Sequence, residues 1–484
     1  MSAVISNFIF TLALGFYALT CLQWFSYRPE RVLHHFTKPM WHLYFFIIPV
    51  LAQIAAMFCP FYYAALGVVT ASYIAILALW HRGLDKKLVF TDRIKRAFAY
   101  IASFAVIVGI AEILIDIKFS TDIKIPAVIA LFVGLFFHFR YEKTLFNRFK
   151  ASALAKLNTM NNLIIVQITA SYGKTSIKNF LYDILSPHFV CYKTPRSVNT
   201  LAGIVKDIND DLPKNTQVYI AEAGARLPGD IAEITEFLRP QIVVVGEIGA
   251  QHLEYFKSVE NIRATKLEAL NSPRLKHAFV HSSTLRHNSA TISTYDIGTK
   301  VISSTLDGIK FSLKINDETF RLSAPVLGEF NAQNLSACVM VARFLGVNDV
   351  YIHNAVEKVH SVEHRLQKIE NGGKIIIDDA FNGNLAGMLA SYELCKTYKG
   401  NKVIVTPGIV ESTKEDNEIL AKKIDEVFDL VIITGELNLK TLKDNINPGK
   451  VYVLKDKSKM VEILAKYTKA GDLVLFSNDA PNFI

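Results

Sequence analysis

Cysteine is scarce in this chain. Its five cysteines, Cys21, Cys59, Cys191, Cys338 and Cys395, are scattered, and no two form a C-x-x-C pair. That argues against a disulfide framework and a cysteine zinc site, and fits a reducing compartment for the soluble part. No basic segment precedes the first apolar run, and Cys21-Leu22-Gln23-Trp24-Phe25 is a poor small-residue cleavage site, so a cleaved signal peptide is not expected. No basic motif interleaved with aromatics occurs, so the net charge of +9 does not point to nucleic acid. The full G-x-x-x-x-G-K-[ST] phosphate-loop pattern is also missing, because Ile168 stands where its first Gly belongs.

Apolar residues, by contrast, are abundant. They make up 51% of the 484 residues, with a mean hydropathy of +0.26. The excess is concentrated before residue 140, in runs at roughly 4–25, 41–58, 61–80, 97–115 and 125–139. A bilayer core takes about 20 apolar residues per helix. The first, third and fourth runs reach that length, the second is borderline and the fifth is short. Lys and Arg cluster after the first run (Arg28, Arg31, Lys38), the third (Arg82, Lys86, Lys87, Arg93, Lys95, Arg96) and the fifth (Arg140, Lys143, Arg148, Lys150). The positive-inside rule then places these segments in the cytoplasm and predicts five spans, with the N-terminus outside. Glu112, near the end of the fourth run, reads either as a functional intramembrane carboxylate or as an interfacial one.

The chain is organised around residues 161–185. Leu163 to Ile168 reads as a buried strand, Thr169 to Gly173 as a small-residue turn, and Lys174-Thr175-Ser176 as the start of a helix. Ile177, Phe180, Leu181, Ile184 and Leu185 supply its apolar face. A strand, a tight turn and Gly-Lys-Thr at a helix start form a phosphate cradle. Backbone N–H groups and the helix end attract anions, Lys174 reaches the terminal phosphates, and the Thr175 hydroxyl suits Mg²⁺.

Further strands are expected at Gln217–Ala221, Gln241–Val245, Lys374–Ile377, Lys402–Thr406, Leu430–Thr434, Val451–Leu454 and Leu473–Phe476, alternating with helical stretches. Residues 277–325 alternate more like strands with turns. The expected architecture is an α-helical transmembrane module (1–150) followed by two α/β domains (151–360 and 361–484), with ligands at the carboxyl ends of the strands. Glu222 and His252 fall just past two of those strands.

The loop Thr169-Ala170-Ser171-Tyr172-Gly173-Lys174-Thr175-Ser176 resembles T-G-T-x-G-K-T-[ST] of the Mur ligases. The ordered set N-T-L-A-G-I (199–204), A-E-A-G-A (221–225), I-G-A-Q-H-L-E-Y-F (248–256) and A-T-K-L-E-A-L (264–270) is similar to that family's central domain, most closely its D-alanyl-D-alanine-adding branch. Departures are Ala170 for Gly, Glu247 for Asn, Phe330 for His, and the absence of the Lys-Gly-Ser that often follows the last strand. The resemblance implies a central P-loop ATPase-like domain and a C-terminal Rossmann-like domain. It implies that Thr169, Ser171, Gly173, Lys174, Thr175 and Ser176 hold ATP, and that Thr175, Glu222, His252 and Lys266 hold Mg²⁺, Lys266 as a carbamate. Lys174, His252 and Lys266 would serve catalysis. Asn331 would meet the adenine with Asn334 in support, and Arg365 and Asp379 would approach the nucleotide. Asn199, Thr200, Asn382 and Asn384 would line the substrate cleft.

The reaction so implied joins UDP-MurNAc-tripeptide and D-Ala-D-Ala through an acyl phosphate at the expense of ATP. A membrane location suits work beside other cell-wall synthesis enzymes. The family's usual UDP-binding N-terminal domain has no counterpart in residues 1–150. Three other readings remain: a related ligase with another acceptor, a transporter driven by a P-loop ATPase, and an inactive membrane scaffold.

Overall fold

The computed structural model describes all residues except 1, 26, 35–37, 85, 120–123, 252, 382, 411 and 479–484, and for residues 2, 3, 34 and 254 the main chain alone. The chain divides into two compact units, Met1–Lys150 and Ala151–Ile484.

In the first unit, four helices among the described residues are long and apolar enough to cross a membrane: Val4–Trp24, Met40–Met57, Tyr62–Arg82 and Asp92–Phe119. The second contains a π-helical stretch, Leu43–Ile47. The fifth apolar run is not among the four. It opens a 32-residue helix, Ala127–Asn158, whose later turns carry Arg140, Glu142, Lys143, Arg148 and Lys150. The helix continues because nothing in this stretch breaks it, while its apolar part alone stays short of a bilayer. The first helix is central, with Phe10 and Leu14 fully buried. The others turn apolar side chains outward, including Val68, Leu79, Ile107 and Leu114.

Polar side chains inside this unit satisfy the backbone. The Glu112 carboxylate accepts the Ile125 N–H at 2.6 Å, and Gln53 Oε1 accepts the Ala127 N–H at 3.2 Å. Asn7 donates to the Ile125 carbonyl at 3.0 Å and also meets Gln53. Glu112 and Gln53 take up main-chain donors at the entry to the Ala127–Asn158 helix, where no intrahelical acceptor exists. Glu112 is thus a helix-start acceptor.

The second unit opens with a six-stranded parallel sheet: β1 (Ile164–Thr169), β2 (Cys191–Lys193), β3 (Val218–Glu222), β4 (Ile242–Val245), β5 (His277–Val280) and β6 (Ile292–Thr294), in the order β2-β3-β1-β4-β5-β6. β1 lies between β3 and β4, so the turn after it opens mid-sheet at the carboxyl edge. The Lys174–Leu185 helix buries Ile177, Phe180, Leu181, Ile184 and Leu185 to 1% exposure or less, as their spacing predicts. Full burial of such side chains is worth about 1.5–3 kcal/mol each.

β7 (Thr299–Thr305), β8 (Gly308–Ile315) and β9 (Glu318–Ala324) form an antiparallel sheet, with Ile309, Phe311 and Leu313 alternating inward. The Phe330–Phe344 helix packs on the Lys174–Leu185 helix. A second sheet follows: β10 (Gln367–Asn371), β11 (Lys374–Asp379), β12 (Lys402–Thr406), β13 (Leu430–Ile433), β14 (Val451–Val453) and β15 (Leu473–Ser477). Its order is β10-β11-β15-β12-β13-β14, antiparallel only between β10 and β11. Leu327, Phe330 and Leu366 pack in the same apolar cluster as this sheet.

Candidate active site

The turn after β1 is held from two sides. Gly173 has φ +79°, a conformation that suits glycine, and a Cβ there would lie 2.5 Å from Asn334 Oδ1. On the other side, the Ser171 N–H donates to the Glu247 carbonyl at 2.8 Å, and Ser171 Oγ donates to the Gly249 carbonyl at 3.1 Å. Because Glu247 contributes its main-chain oxygen to this latch, its replacement of the family's Asn leaves the contact intact. Ala170 is fully buried and does not have positive φ. It faces Gly246, where a Cβ would come 2.8 Å from that of Ala170, so the glycine at 246 makes the room that the alanine at 170 takes.

Lys174 begins the helix, and its Nζ donates to the carbonyls of Ala170 (2.8 Å) and Ser171 (3.0 Å). Burial lowers its ammonium to about 8, against the pull of Glu222 and with the help of Arg365. Thr175 Oγ1 donates to Glu222 Oε2 at 3.1 Å, joining the helix start to the end of β3. Lys266, 4% exposed in the Val259–Leu267 helix, is lowered to about 7, first by burial and then by Lys174. Ser176 and Thr169 are both buried.

Arg365 comes from the connection into the second α/β domain. It lies between His364 (φ +58°) and Leu366 (φ +51°), both non-glycine residues in the left-handed region. The strained turn is clamped by β11 and the residues just after it: His364 Nδ1 meets Asp378 Oδ2 at 2.6 Å, the Leu366 N–H donates to Asp379 Oδ1 at 3.2 Å, and the Arg365 guanidinium donates to the Phe381 carbonyl. Burial lowers the Arg365 pKa, while Asp379 and Glu222 oppose that shift. Arg365 therefore acts electrostatically on both Lys174 and Glu222.

The asparagines take more local places. Asn331 Nδ2 donates to the Leu327 carbonyl at 2.7 Å, and Asn334 Nδ2 donates to Asn331 Oδ1 at 2.9 Å. This ladder ends on the phosphate loop at Gly173. Asn199 Nδ2 donates to Glu222 Oε1 at 3.3 Å. Thr200 and Asn384 cap the starts of the Leu201–Asp210 and Leu385–Lys396 helices. His252 and Asn382 lie outside the described residues. Sequence reasoning missed Lys178, which is 1% exposed and bridged to Glu222 Oε2 at 3.0 Å. Its signal was spacing: four residues after Lys174 and three after Thr175, it shares their helix face.

Among the described residues no cluster of three His, Cys, Asp or Glu side chains stands ready for a metal. What is present suits Mg²⁺ nonetheless. That ion takes one or two carboxylates, keeps waters and draws further ligands from substrate phosphates. Glu222 and the Thr175 hydroxyl at the phosphate loop meet that description.

Comparison with known proteins identifies the two α/β domains. Residues 168–342 match the Mur ligase middle domain, and residues 364–478 match the Mur ligase glutamate ligase domain. The chain is similar to the UDP-N-acetylmuramoyl-tripeptide–D-alanyl-D-alanine ligase of Bacillus subtilis, at 25% identity over 333 residues, covering 64% of this chain and 72% of that protein. The ligase of the same name from Buchnera aphidicola is 25% identical, covering 66% and 75%. Among solved structures, MurF from Thermotoga maritima in complex with ADP superposes with a TM-score of 0.59 at 24% identity, covering 69% of this chain and 80% of that one. A corresponding ligase from Acinetobacter baumannii gives 0.61 at 21% identity, covering 68% and 76%. With both of its α/β domains matched in order, this chain belongs to the Mur ligase family.

Proposed function

We propose that this chain is the ATP-dependent ligase that adds D-Ala-D-Ala to UDP-MurNAc-tripeptide, acting at the cytoplasmic face of a membrane. The observation that carries the reading is the convergence on one phosphate loop of Lys174, the Thr175–Glu222 pair, Lys266 and, from the following domain, Arg365. The substrates are those in the names of its relatives.

Lys174 and the N–H groups of the turn are placed to bind the terminal phosphates of ATP. Thr175, Glu222 and a carbamylated Lys266 would hold Mg²⁺, together with His252. Bound Mg²⁺ would supply neutralisation of charge on the phosphoryl oxygens. A carboxylate is a poor electrophile, so its oxygen first attacks the γ-phosphorus. The bond to the bridging oxygen breaks, ADP leaves and an acyl phosphate forms. The neutral D-Ala-D-Ala amine then attacks the acyl carbon, gives its proton to water, and phosphate departs. Lys174 and Arg365 stabilise the negative charge that moves during both steps. The turn at 364–366 is the point about which closure of the second α/β domain would exclude water from the acyl phosphate.

Membrane insertion is supported by the outward apolar faces of the N-terminal helices. In water they would leave apolar patches far larger than those of ordinary soluble surfaces. The three basic clusters favour a cytoplasmic catalytic unit.

The test is phosphate release from ATP by the detergent-solubilised chain, with UDP-MurNAc-tripeptide present and D-Ala-D-Ala added or omitted, and Lys174→Ala as control. Release that needs both substrates and yields the pentapeptide by mass is expected. Release indifferent to both would replace the ligase reading with a transport ATPase. No release with either substrate would favour a different acceptor or an inactive scaffold.

A further inference from the structure

Lys178 is a buried cation that the reaction as described does not use. Both it and Glu222 are 1% exposed. Its Nζ lies 3.0 Å from Glu222 Oε2, the oxygen that also accepts the Thr175 hydroxyl, and donates to the main-chain carbonyl of Arg196. Arg196 has φ +44°, a strained left-handed conformation for a residue with a side chain. The same loop touches Glu222 twice more: Thr194 Oγ1 accepts the Glu222 N–H at 3.1 Å, and Asn199 Nδ2 donates to Oε1 at 3.3 Å.

A buried carboxylate needs a charged or hydrogen-bonded partner on each oxygen, and its rotamer follows those partners. Thr175 and Asn199 are neutral and leave the carboxylate's charge uncompensated. Lys178 is the cation in direct contact with it, and the same ammonium holds the strained turn that leads to Asn199 and Thr200.

We infer that Lys178 is a positioning residue that fixes the Glu222 carboxylate for the divalent cation of the nucleotide and ties it to the 194–200 loop. The inference rests on the reading of Glu222 as a metal ligand. Coupling follows from geometry: Thr175 and Lys178 share Glu222 Oε2, so that oxygen cannot turn away from Thr175 without also leaving Lys178, the ammonium that holds the Arg196 carbonyl. Lys178 touches neither phosphate nor peptide in this role.

The test is Mn²⁺ binding to the full chain in detergent, read by electron paramagnetic resonance with saturating ADP, together with ADP affinity in metal-free buffer. Lys178→Met should weaken Mn²⁺ at least tenfold while metal-free ADP affinity stays within twofold. Lys178→Arg, which keeps the charge, should recover part of the loss. Lys178→Gln, which keeps a donor without charge, should behave like Lys178→Met and stands in for it if that variant does not fold. Mn²⁺ affinity within twofold of the unmodified chain in Lys178→Gln or Lys178→Met overturns the inference. An equal loss of metal-free ADP affinity in Lys178→Gln and Lys178→Arg overturns it too, in favour of plain support of the fold. If the unmodified chain binds no Mn²⁺ with ADP, the metal reading of Glu222 falls, and this inference falls with it.

Discussion

Asn334 Oδ1 occupies the space that a Cβ on Gly173 would need, 2.5 Å from its ideal position. The phosphate loop is therefore fixed by contact with a helix residue 161 positions away in sequence, as well as by its own backbone. Gly173→Ala meets two obstacles, a left-handed φ of +79° and the Asn334 amide. The conformational part alone costs about 1–2 kcal/mol. The expected outcome is a lowered melting temperature and at least a tenfold loss of ADP affinity by calorimetry. Gly173→Ala combined with Asn334→Ala should recover part of the stability and little of the affinity.

Lys266 is lowered to about 7 by burial and by Lys174. An ordinary lysine titrates near 10.4. Between pH 7 and about 10 the unfolded chain binds the extra proton, so this group's contribution to stability rises with pH across that window and is flat below it. The neutral amine is also the form that reacts with CO₂. Protein stripped of CO₂ should regain activity on adding bicarbonate at pH 8 and much less at pH 6. Equal recovery at both pH values would show that this amine does not control activity.

The charge of Arg365, in a turn flanked by two strained residues, acts on the phosphate-loop lysine. Arg365→Ala should lower kcat/KM by about 10²–10³, the size seen when a charge-stabilising donor is removed. The expected change in melting temperature is small, since the His364–Asp378 contact and the Leu366 packing remain. A kcat/KM within threefold of the unmodified chain would remove Arg365 from the site.

Glu112 accepts the Ile125 N–H in the N-terminal unit. Glu112→Leu leaves that donor unpaired, at a cost of about 1–3 kcal/mol. Glu112→Gln keeps an acceptor and should cost less. Thermal melts in detergent check the order, and ADP affinity should be unchanged in both. Loss of ligase activity in Glu112→Gln without loss of stability would mean that the carboxylate has a functional role.

Local pattern carried much of this protein. The β-branched run before Thr169 and the 3.6-residue spacing from Ile177 to Leu185 determined a strand and a helix. The glycine at 173 followed by Lys174 and Thr175 marked the phosphate cradle between them. The apolar runs marked four helices long enough to span a bilayer, because burial in lipid needs only length and composition. The length of the fifth helix was not legible, since a helix can continue from an apolar stretch into a charged one without any local signal at the join.

What tertiary structure alone decided are contacts between residues distant in sequence. Sequence spacing does not say that Lys178 closes on Glu222, that Gly246 makes room for Ala170, or that Asn331 and Asn334 brace Gly173. Nor does it say that Arg365 reaches the field of Lys174 from a turn clamped by Asp378 and Asp379. Each depends on strand order and on which helix faces meet, and those are set by burial of the whole core rather than by any one segment.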